Sequence, residues 1–223
     1  MQLIILTLFP EYFSSVFATS IIKRAVEKQL VTVEVLNIRD FTVDKHHVTD
    51  DRPYGGGPGM VMKVEPIDRA IQHCRENVVP KGAKTLVVLM SAKGAPFTQQ
   101  VATQWVGSYD SVILICGHYE GVDERVALHL VDAEIRVGDF VMTGGEPAAA
   151  AIGDALCRLL PDVLGHTAST KGESHGEVGD LAYPQFTRPE VYRDWPVPQP
   201  LLSGHHAQIE QWRAAQRTKD SES

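Results

Sequence analysis

Three glycine-rich turns lie close together in the chain, and each follows an apolar segment. They occupy residues 117–121 (GHYEG), 138–140 (GDF) and 143–146 (TGGE). Glycine adopts backbone angles that are closed to other residues and lets a ligand approach the main chain. The three turns together predict a ligand site built mainly from backbone. The alternative is that each turn is only a tight connection between a strand and a helix.

The segments between these turns alternate between strand-like and helix-like patterns. Residues 112–116 and 85–90 are typical of buried strands, and a turn at residues 91–94 follows the latter. Residues 133–137 form a further strand-like run. Such alternation favours a largely parallel α/β sheet that is covered on both faces. Ligands of these sheets bind beyond the carboxyl ends of the strands, where the glycine turns lie.

The rest of the chain continues the same pattern. Two more strands are predicted at residues 2–8 and 31–38. Helices are predicted after Ser20 (with Ile22, Val26 and Leu30 on one face), from Pro66, at residues 97–106, from Pro147 to Leu160, and after Ser203. Residues 161–188 have no regular period and are rich in glycine, which is typical of a linker or mobile loop.

A long polar loop at residues 39–63 contains the run DDRPYGGGPG. Loops of this length inside a compact domain are usually functional or disordered. Arg52 and Tyr54, beside flexible glycines, are the side chains that stacking on a base and binding phosphate require. A flexible surface loop without function is an equally good interpretation of the composition alone.

Composition limits the class of protein. The chain has 223 residues, a net charge of −7 and three cysteines that form neither a disulfide framework nor a zinc-binding spacing. We therefore expect a reduced, cytoplasmic protein. No apolar run approaches the length of a membrane span, so we expect no membrane association. The acidic balance argues against bulk affinity for nucleic acid but leaves a local basic groove open.

Seven sequence blocks resemble those of the bacterial tRNA (guanine-N1)-methyltransferases, the TrmD family of the SPOUT superfamily. In chain order they are LFPEYF (8–13), DDRPYGGGPGM (50–60), CGHYEGVDER (116–125), VGDFVMTGGE (137–146), PDVLG (161–165), TRPEV (187–191) and LLSGHHAQIEQWR (201–213). The resemblance covers nearly the whole chain. It implies methyl transfer from S-adenosylmethionine to N1 of the guanine immediately 3′ of the anticodon, at position 37 of tRNA.

The resemblance also implies an architecture. It predicts a SPOUT-type, mostly parallel α/β sheet with a deep trefoil knot, which is a rare exception to the un-knotted rule. The expected domains are a cofactor-binding domain at residues 1–160, a linker at 161–188 and a small helical domain at 189–223. The family forms homodimers with active sites at the subunit interface, so a homodimer is expected here.

The same resemblance assigns site residues. For tRNA it implies Asp50, Arg52, Tyr54 and Gly59. For S-adenosylmethionine it implies the three turns and the segment after Met90. The cofactor-binding residues are Met90, Ser91, Gly94, Gly117, Glu120, Gly121, Val137, Gly138, Asp139, Phe140, Val141, Met142, Gly144 and Gly145.

For catalysis the resemblance implies a carboxylate base in the linker and an arginine near the end of the helix from Pro147. Arg158 matches the arginine, and Glu173 stands where the family has aspartate. Ala182 stands where the family has an acidic residue, and Asp180 lies two positions upstream. His118 replaces a common arginine, and Ala92 replaces a common proline. The arginine-rich basic extension that the family carries after the last helix is not found in the given sequence. Participation of Mg²⁺ stays open, and no protein metal ligands are predicted.

Two alternatives stay open. The first, which these departures motivate, is a tRNA-binding protein that keeps the SPOUT fold but is catalytically impaired, against which the intact Arg158 and residues 50–60 weigh. The second is a SPOUT enzyme acting on ribose or another base, which fits the knot but not residues 50–60.

Overall fold

A computed structural model describes residues 1–164, 173–176 and 180–219. The chain divides into two compact units, Met1–Gly165 and His166–Ser223, and each is described separately. Residues 165–172 and 177–179, which belong to the predicted linker, and residues 220–223 lie outside the described part. Within that part, no helix is both long and apolar enough to cross a membrane.

The first unit is built on a sheet of five parallel strands, as the sequence predicts. The strands of this unit are β1 (Gln2–Thr7), β2 (Thr32–Asn37), β3 (Asp50–Asp51), β4 (Val61–Met62), β5 (Thr85–Pro96), β6 (Ser111–Cys116) and β7 (Ala133–Arg136). The order of the five strands across the sheet is β2-β1-β6-β5-β7. The short strands β3 and β4 form a separate antiparallel pair.

Five helices accompany these strands. They are α1 (Ser20–Glu27), α2 (Val64–His73), α3 (Gln99–Ser108), α4 (Glu124–His129) and α5 (Glu146–Leu159). Single-turn 3-10 helices lie at Pro10–Phe13 and Ile38–Phe41, and a π-helical turn at Cys74–Val78 extends α2. Helix α2 begins two residues before the predicted start at Pro66. In α1 the buried residues are Ile22 and Ala25, whereas Val26 is 37% exposed, so the predicted stripe through Val26 is wrong.

The hydrophobic core lies on both faces of the sheet. Alternate residues of β1 point in opposite directions: Leu3 and Ile5 pack in one cluster, and Ile4 and Leu6 pack in the other. The first cluster contains residues of α1, α3 and α5, and the second contains residues of α2 and α4. Both faces are therefore covered, which explains why the central strands are apolar along their whole length.

The predicted turn at residues 91–94 is part of strand β5. Met90 and Ala95 both pair with Ile135 of β7, so the intervening residues form a bulge. Gly94 allows this bulge, because a Cβ there would overlap the backbone of Glu134 and Ile135. The Nη1 of Arg136 donates a hydrogen bond to the Gly94 carbonyl at 2.5 Å. The chain thus leaves β5 later than predicted, still beside β7.

The second unit contains short strands and two helices. They are β8 (Asp180–Leu181), β9 (Val191–Tyr192), β10 (Trp195–Pro196), α6 (Gln199–Leu202), α7 (His206–Gln216) and β11 (Thr218–Lys219). Helix α7 begins at His206 and not directly after Ser203, the predicted cap. The Ser203 hydroxyl instead accepts a hydrogen bond from the backbone N–H of His205 at 3.2 Å.

Candidate functional site

A cavity of about 400 Å³ lies at the carboxyl ends of β5, β6 and β7. It is lined by all three glycine turns and by the bulge of β5. Of the residues predicted to bind a cofactor, those on its wall are Met90, Ser91, Gly117, Glu120, Gly121, Val137, Gly138, Phe140, Val141, Met142, Gly144 and Gly145. The fold therefore brings together segments that are up to about fifty residues apart, as ligand sites of open parallel sheets require.

Two predicted residues do not lie on the cavity wall. Gly94 packs against the backbone of β7 within the bulge, as described above. Asp139 is directed to solvent, with its side chain 86% exposed, and its carboxylate accepts a hydrogen bond from Nε of Arg136 at 2.7 Å. Both residues support the wall without forming it.

The turns at residues 117–121 and 143–146 are joined directly to each other. The Gly145 N–H donates to the Gly117 carbonyl at 2.8 Å, and His118 and Gly144 form an isolated antiparallel bridge. A Cβ on Gly145 would lie 2.8 Å from Met90 Cβ and 2.9 Å from Cys116 Cα. Glycine at this position is required because the two turns pack backbone against backbone.

Charged side chains that the glycine pattern did not reveal also line the cavity. Lys93 Nζ lies 2.5 Å from Glu124 Oε2 and 3.9 Å from Glu134 Oε1. The hydrogen bond to Glu124 raises the pKa of Lys93. With Arg136 and Glu120, these groups give the wall three carboxylates and two cations. Lys93, Glu124, Glu134 and Arg136 come from three separate elements, β5, α4 and β7, so no spacing in the sequence could have indicated them, whereas Glu120 belongs to a predicted turn.

A buried carboxylate, Glu146, lies behind the cavity at the start of α5. Glu146 is 3% exposed. Its Oε1 accepts a hydrogen bond from the Thr7 hydroxyl at 2.8 Å, and its Oε2 lies 3.7 Å from Nδ1 of His118. His118 is on the cavity wall. Nothing in the sequence connects the two residues, because the contact spans 28 positions of the chain.

The polar loop at residues 39–63 is attached to the cavity. Glu120 N–H donates to the Met60 carbonyl at 3.1 Å, and Met62 N–H donates to the Gly121 carbonyl at 2.9 Å. Gly59 lies so close to the Glu120 side chain that a Cβ there would overlap it. The loop is therefore fixed at its second half, beside the turn at residues 117–121.

The residues predicted to bind tRNA all belong to this loop. Asp50 is half-buried in β3, and Arg52 is exposed. Tyr54 is 103% exposed, so its ring is available to stack on another aromatic surface. Gly59 lies against a cavity residue, Glu120. The loop therefore carries an exposed aromatic side chain, Tyr54, while its second half is fixed beside the turn at residues 117–121.

The two predicted catalytic residues belong to different units. Arg158 lies in the last turn of α5 and is half-buried, and Glu173 lies in the second unit and is also half-buried. Asp180 begins β8 in that unit. In the described residues, no group of three or more His, Cys, Asp or Glu side chains could hold a metal ion.

The three cysteines are free and buried. Burial raises the pKa of Cys74 to about 12 and the pKa of Cys157 to about 11, and it raises the pKa of Cys116 well above its ordinary value. Because only the thiolate is a good nucleophile, these thiols are unsuited to nucleophilic catalysis at neutral pH.

Comparison with known proteins gives a consistent result along the whole chain. The family model described as tRNA (Guanine-1)-methyltransferase TrmD matches residues 1–223. A tRNA (guanine-N(1)-)-methyltransferase of Dehalococcoides mccartyi is 50% identical over 213 residues, which are 96% of this chain and 84% of the relative. The enzyme of the same name from Microcystis aeruginosa is 48% identical over 99% of this chain and 94% of its own. The enzyme of the same name from Staphylococcus epidermidis is 46% identical over 97% of this chain and 86% of its own.

Proposed function

This chain belongs to the tRNA (guanine-1)-methyltransferase family, and from that premise we propose that the cavity at the ends of β5, β6 and β7 binds its methyl donor. The protein is a tRNA (guanine-N1)-methyltransferase, and the donor in this family is S-adenosylmethionine. The base that is methylated is the guanine immediately 3′ of the anticodon. The observation that carries the proposal is the cavity itself, which is formed by the same turns that match the family.

The residues of the cavity suit S-adenosylmethionine. The volume of about 400 Å³ is within the range of about 300–1,000 Å³ that is usual for small-molecule sites. The sulfonium and ammonium groups of the cofactor are cationic, and the wall carries one more carboxylate than cations. Glu134 Oε1 is buried and has no hydrogen-bond partner among the described residues, which fits a polar ligand that is to be bound nearby.

The chemistry requires a base and a group that stabilises negative charge. N1 of neutral guanine carries a proton, so its lone pair is unavailable until that proton leaves. Bound S-adenosylmethionine supplies an electrophilic methyl group. Glu173 accepts the N1 proton as general base. Arg158 stabilises the negative charge that develops on O6, as a guanidinium aimed at that oxygen can do. Both assignments belong to the proposal.

The direct test is methyl transfer from labelled S-adenosylmethionine to tRNA transcripts. We expect incorporation into a transcript with guanine immediately 3′ of the anticodon and none when that base alone is changed to adenine. Digestion of the product should yield N1-methylguanosine. Label on a ribose, or equal labelling of both transcripts, would contradict the proposed target.

Cofactor binding is expected not to require tRNA. The three turns and the β5 bulge belong to one compact unit, so the cavity exists before the substrate binds. Titration calorimetry of the protein with S-adenosylmethionine alone should therefore give a measurable heat of binding. Absence of binding at millimolar cofactor would show that the site needs tRNA or lies elsewhere.

A homodimer is part of the proposal. Phe140 and Val141 line the cavity but are 58% and 86% exposed, which is unusual for apolar residues at a ligand site. A second copy of the chain that covers them would exclude water from the reacting groups. Sedimentation should give a dimer at micromolar concentration, whereas an active monomer would rule this out.

The remaining architectural proposals follow from family membership. We propose the deep trefoil knot, a cofactor-binding domain at residues 1–160, a linker at 161–188 and a small domain at 189–223. In that scheme the linker brings Glu173 over the cofactor at the dimer interface. Adding a chelator to the methyl-transfer assay tests whether the reaction depends on Mg²⁺. Because the substrate is tRNA, we propose a cytoplasmic location.

A further inference from the structure

We infer that Glu146 is a positioning residue that acts through His118 to strengthen cofactor binding. Neither residue takes part in the proposed proton transfer or in stabilising the charge on O6. The inference rests on the proposed function, because it requires that S-adenosylmethionine occupies the cavity whose wall includes His118. It concerns a buried carboxylate that the proposed chemistry does not use.

Glu146 connects the end of the first strand to the cofactor turns. Thr7, the last residue of β1, is fully buried, and its hydroxyl donates to Glu146 Oε1 at 2.8 Å. The same hydroxyl accepts a hydrogen bond from the Phe9 N–H at 2.9 Å. One carboxylate oxygen is thus held by the framework of the sheet. A buried carboxylate with one satisfied oxygen still needs a partner for the second, because burying a charge without partners is costly.

His118 is the group that faces this second oxygen. Its Nδ1 is buried and lies 3.7 Å from Glu146 Oε2, and it has no hydrogen-bond partner within the described part of the chain. The imidazole lies against the Phe9 ring with centroids 4.8 Å apart. Because Nδ1 is buried while the side chain is 22% exposed, the accessible part of the ring is the part on the cavity wall.

Gly144 makes room for this pair. A Cβ at residue 144 would overlap both Glu146 Oε2 and His118 Nδ1. The glycine of the third turn therefore permits the carboxylate of that turn to meet the imidazole of the first turn. A carboxylate that accepts from Nδ1 of a histidine fixes which ring nitrogen carries the proton and how the ring is oriented. Such contacts are often long in the free enzyme and tighten in the complex.

These contacts give His118 a defined orientation toward the cavity. Its second ring nitrogen, Nε2, is then the hydrogen-bonding group that it presents to the bound cofactor. If Glu146 acts in this way, its removal should affect cofactor binding only while His118 is present. A carboxylate that merely stabilised the fold would lower stability without this dependence.

The test is a double-mutant cycle read by calorimetry with S-adenosylmethionine. Glu146→Gln keeps an oxygen for Thr7 and removes the charge, and we expect it to raise the cofactor Kd about tenfold, as loss of a charged hydrogen bond does. His118→Gln should do the same, and the double variant should bind no worse than His118→Gln alone. The KM for tRNA should be unchanged in all three.

A second pair of variants covers the case in which Glu146→Gln does not fold. Thr7→Val removes the hydroxyl that holds Oε1 and should also weaken cofactor binding. The effect on the Kd should not add to that of His118→Gln when the two substitutions are combined. Thr7→Ser keeps the hydroxyl and should bind the cofactor like the wild type. Glu27→Gln removes an exposed carboxylate that pairs with Lys23 on the surface and serves as a control for charge.

The outcomes separate this inference from the proposed function. If wild-type protein does not bind S-adenosylmethionine, the proposed function of the cavity fails. If the wild type binds and Glu146→Gln binds equally well, or if the effects of the two substitutions add, the positioning role is overturned. A fall in melting temperature with unchanged cofactor affinity would likewise leave Glu146 a purely structural residue.

Discussion

Replacing Glu173 by glutamine is expected to lower kcat by about a hundredfold to ten-thousandfold, the usual contribution of a general base. Glutamine has nearly the same size and can still form hydrogen bonds, but it cannot accept the N1 proton. Affinity for S-adenosylmethionine should stay within about twofold, because Glu173 acts on guanine and not on the cofactor. Single-turnover methyl transfer and calorimetry measure the two quantities separately.

Two further substitutions in this segment serve as controls. Glu173→Asp restores the side chain that the family carries, so we expect it to retain far more activity than Glu173→Gln. Asp180→Asn removes another carboxylate of the predicted linker, and we expect it to leave kcat close to that of the wild type. A loss of turnover on Asp180→Asn together with an active Glu173→Gln would assign the base to Asp180.

The partner of this base is tested in the same assay. Arg158→Ala should lower kcat strongly, because negative charge on O6 would then develop without the guanidinium. Arg158 is also half-buried at the end of α5, so the melting temperature of the Arg158→Ala variant must be measured together with its activity. If Glu173→Gln, Asp180→Asn and Arg158→Ala are all active on a good tRNA substrate, the catalytic scheme is wrong.

The parallel sheet could be predicted because its strands are buried on both faces. Residues 112–116 are apolar without interruption, and each of them is fully buried in β6. Such a run is what a central strand between two helix layers requires. Helix faces were less predictable: in α1 the small Ala25 packs in the core and the larger Val26 does not. Hydrophobicity alone would predict that Val26 is the more deeply buried of the two residues, which is wrong.

The bulge of β5 shows a different limit of the sequence. The glycine at residue 94 indicated a turn, but the chain continues along β7 after four unpaired residues. What decides between turn and bulge is the neighbouring strand, since Ala95 and Pro96 regain pairing with Ile135 and Arg136. That pairing is tertiary and leaves no periodic signal in the sequence.

The backbone part of the site could likewise be anticipated, and its charged part could not. Glycine turns are visible in sequence because they are local. The contacts of Lys93 with Glu124, and of Glu146 with His118, each join elements at least 28 residues apart. Nothing in one sequence fixes such pairs until the order of strands in the sheet is known.

Adding a single methyl group at Gly145 is expected to weaken S-adenosylmethionine binding by about tenfold to a hundredfold, which corresponds to an overpacking cost of about 1–3 kcal/mol. The backbone of Gly145 has φ −81° and ψ −8°, which any residue adopts, so the penalty is steric and not conformational. Its new Cβ would lie 2.9 Å from Cys116 Cα and 3.0 Å from Gly117 N, which are backbone atoms of the facing turn. The two turns must separate, and the cavity between them changes shape.

Gly107→Ala is the matched control for Gly145→Ala, because its Cβ would meet nothing within 4 Å and it lies in helix α3, away from the cavity wall. We expect Gly107→Ala to bind the cofactor like the wild type and to be as stable or more stable, since alanine is favoured over glycine in helices. Gly117→Ala should be intermediate, because its nearest new contact is the Met90 carbonyl at 3.4 Å. Calorimetry on the three folded variants measures their affinities for S-adenosylmethionine and so gives the order of the three effects. Equal affinity of Gly145→Ala and Gly107→Ala would mean that the joined turns do not form the cofactor site.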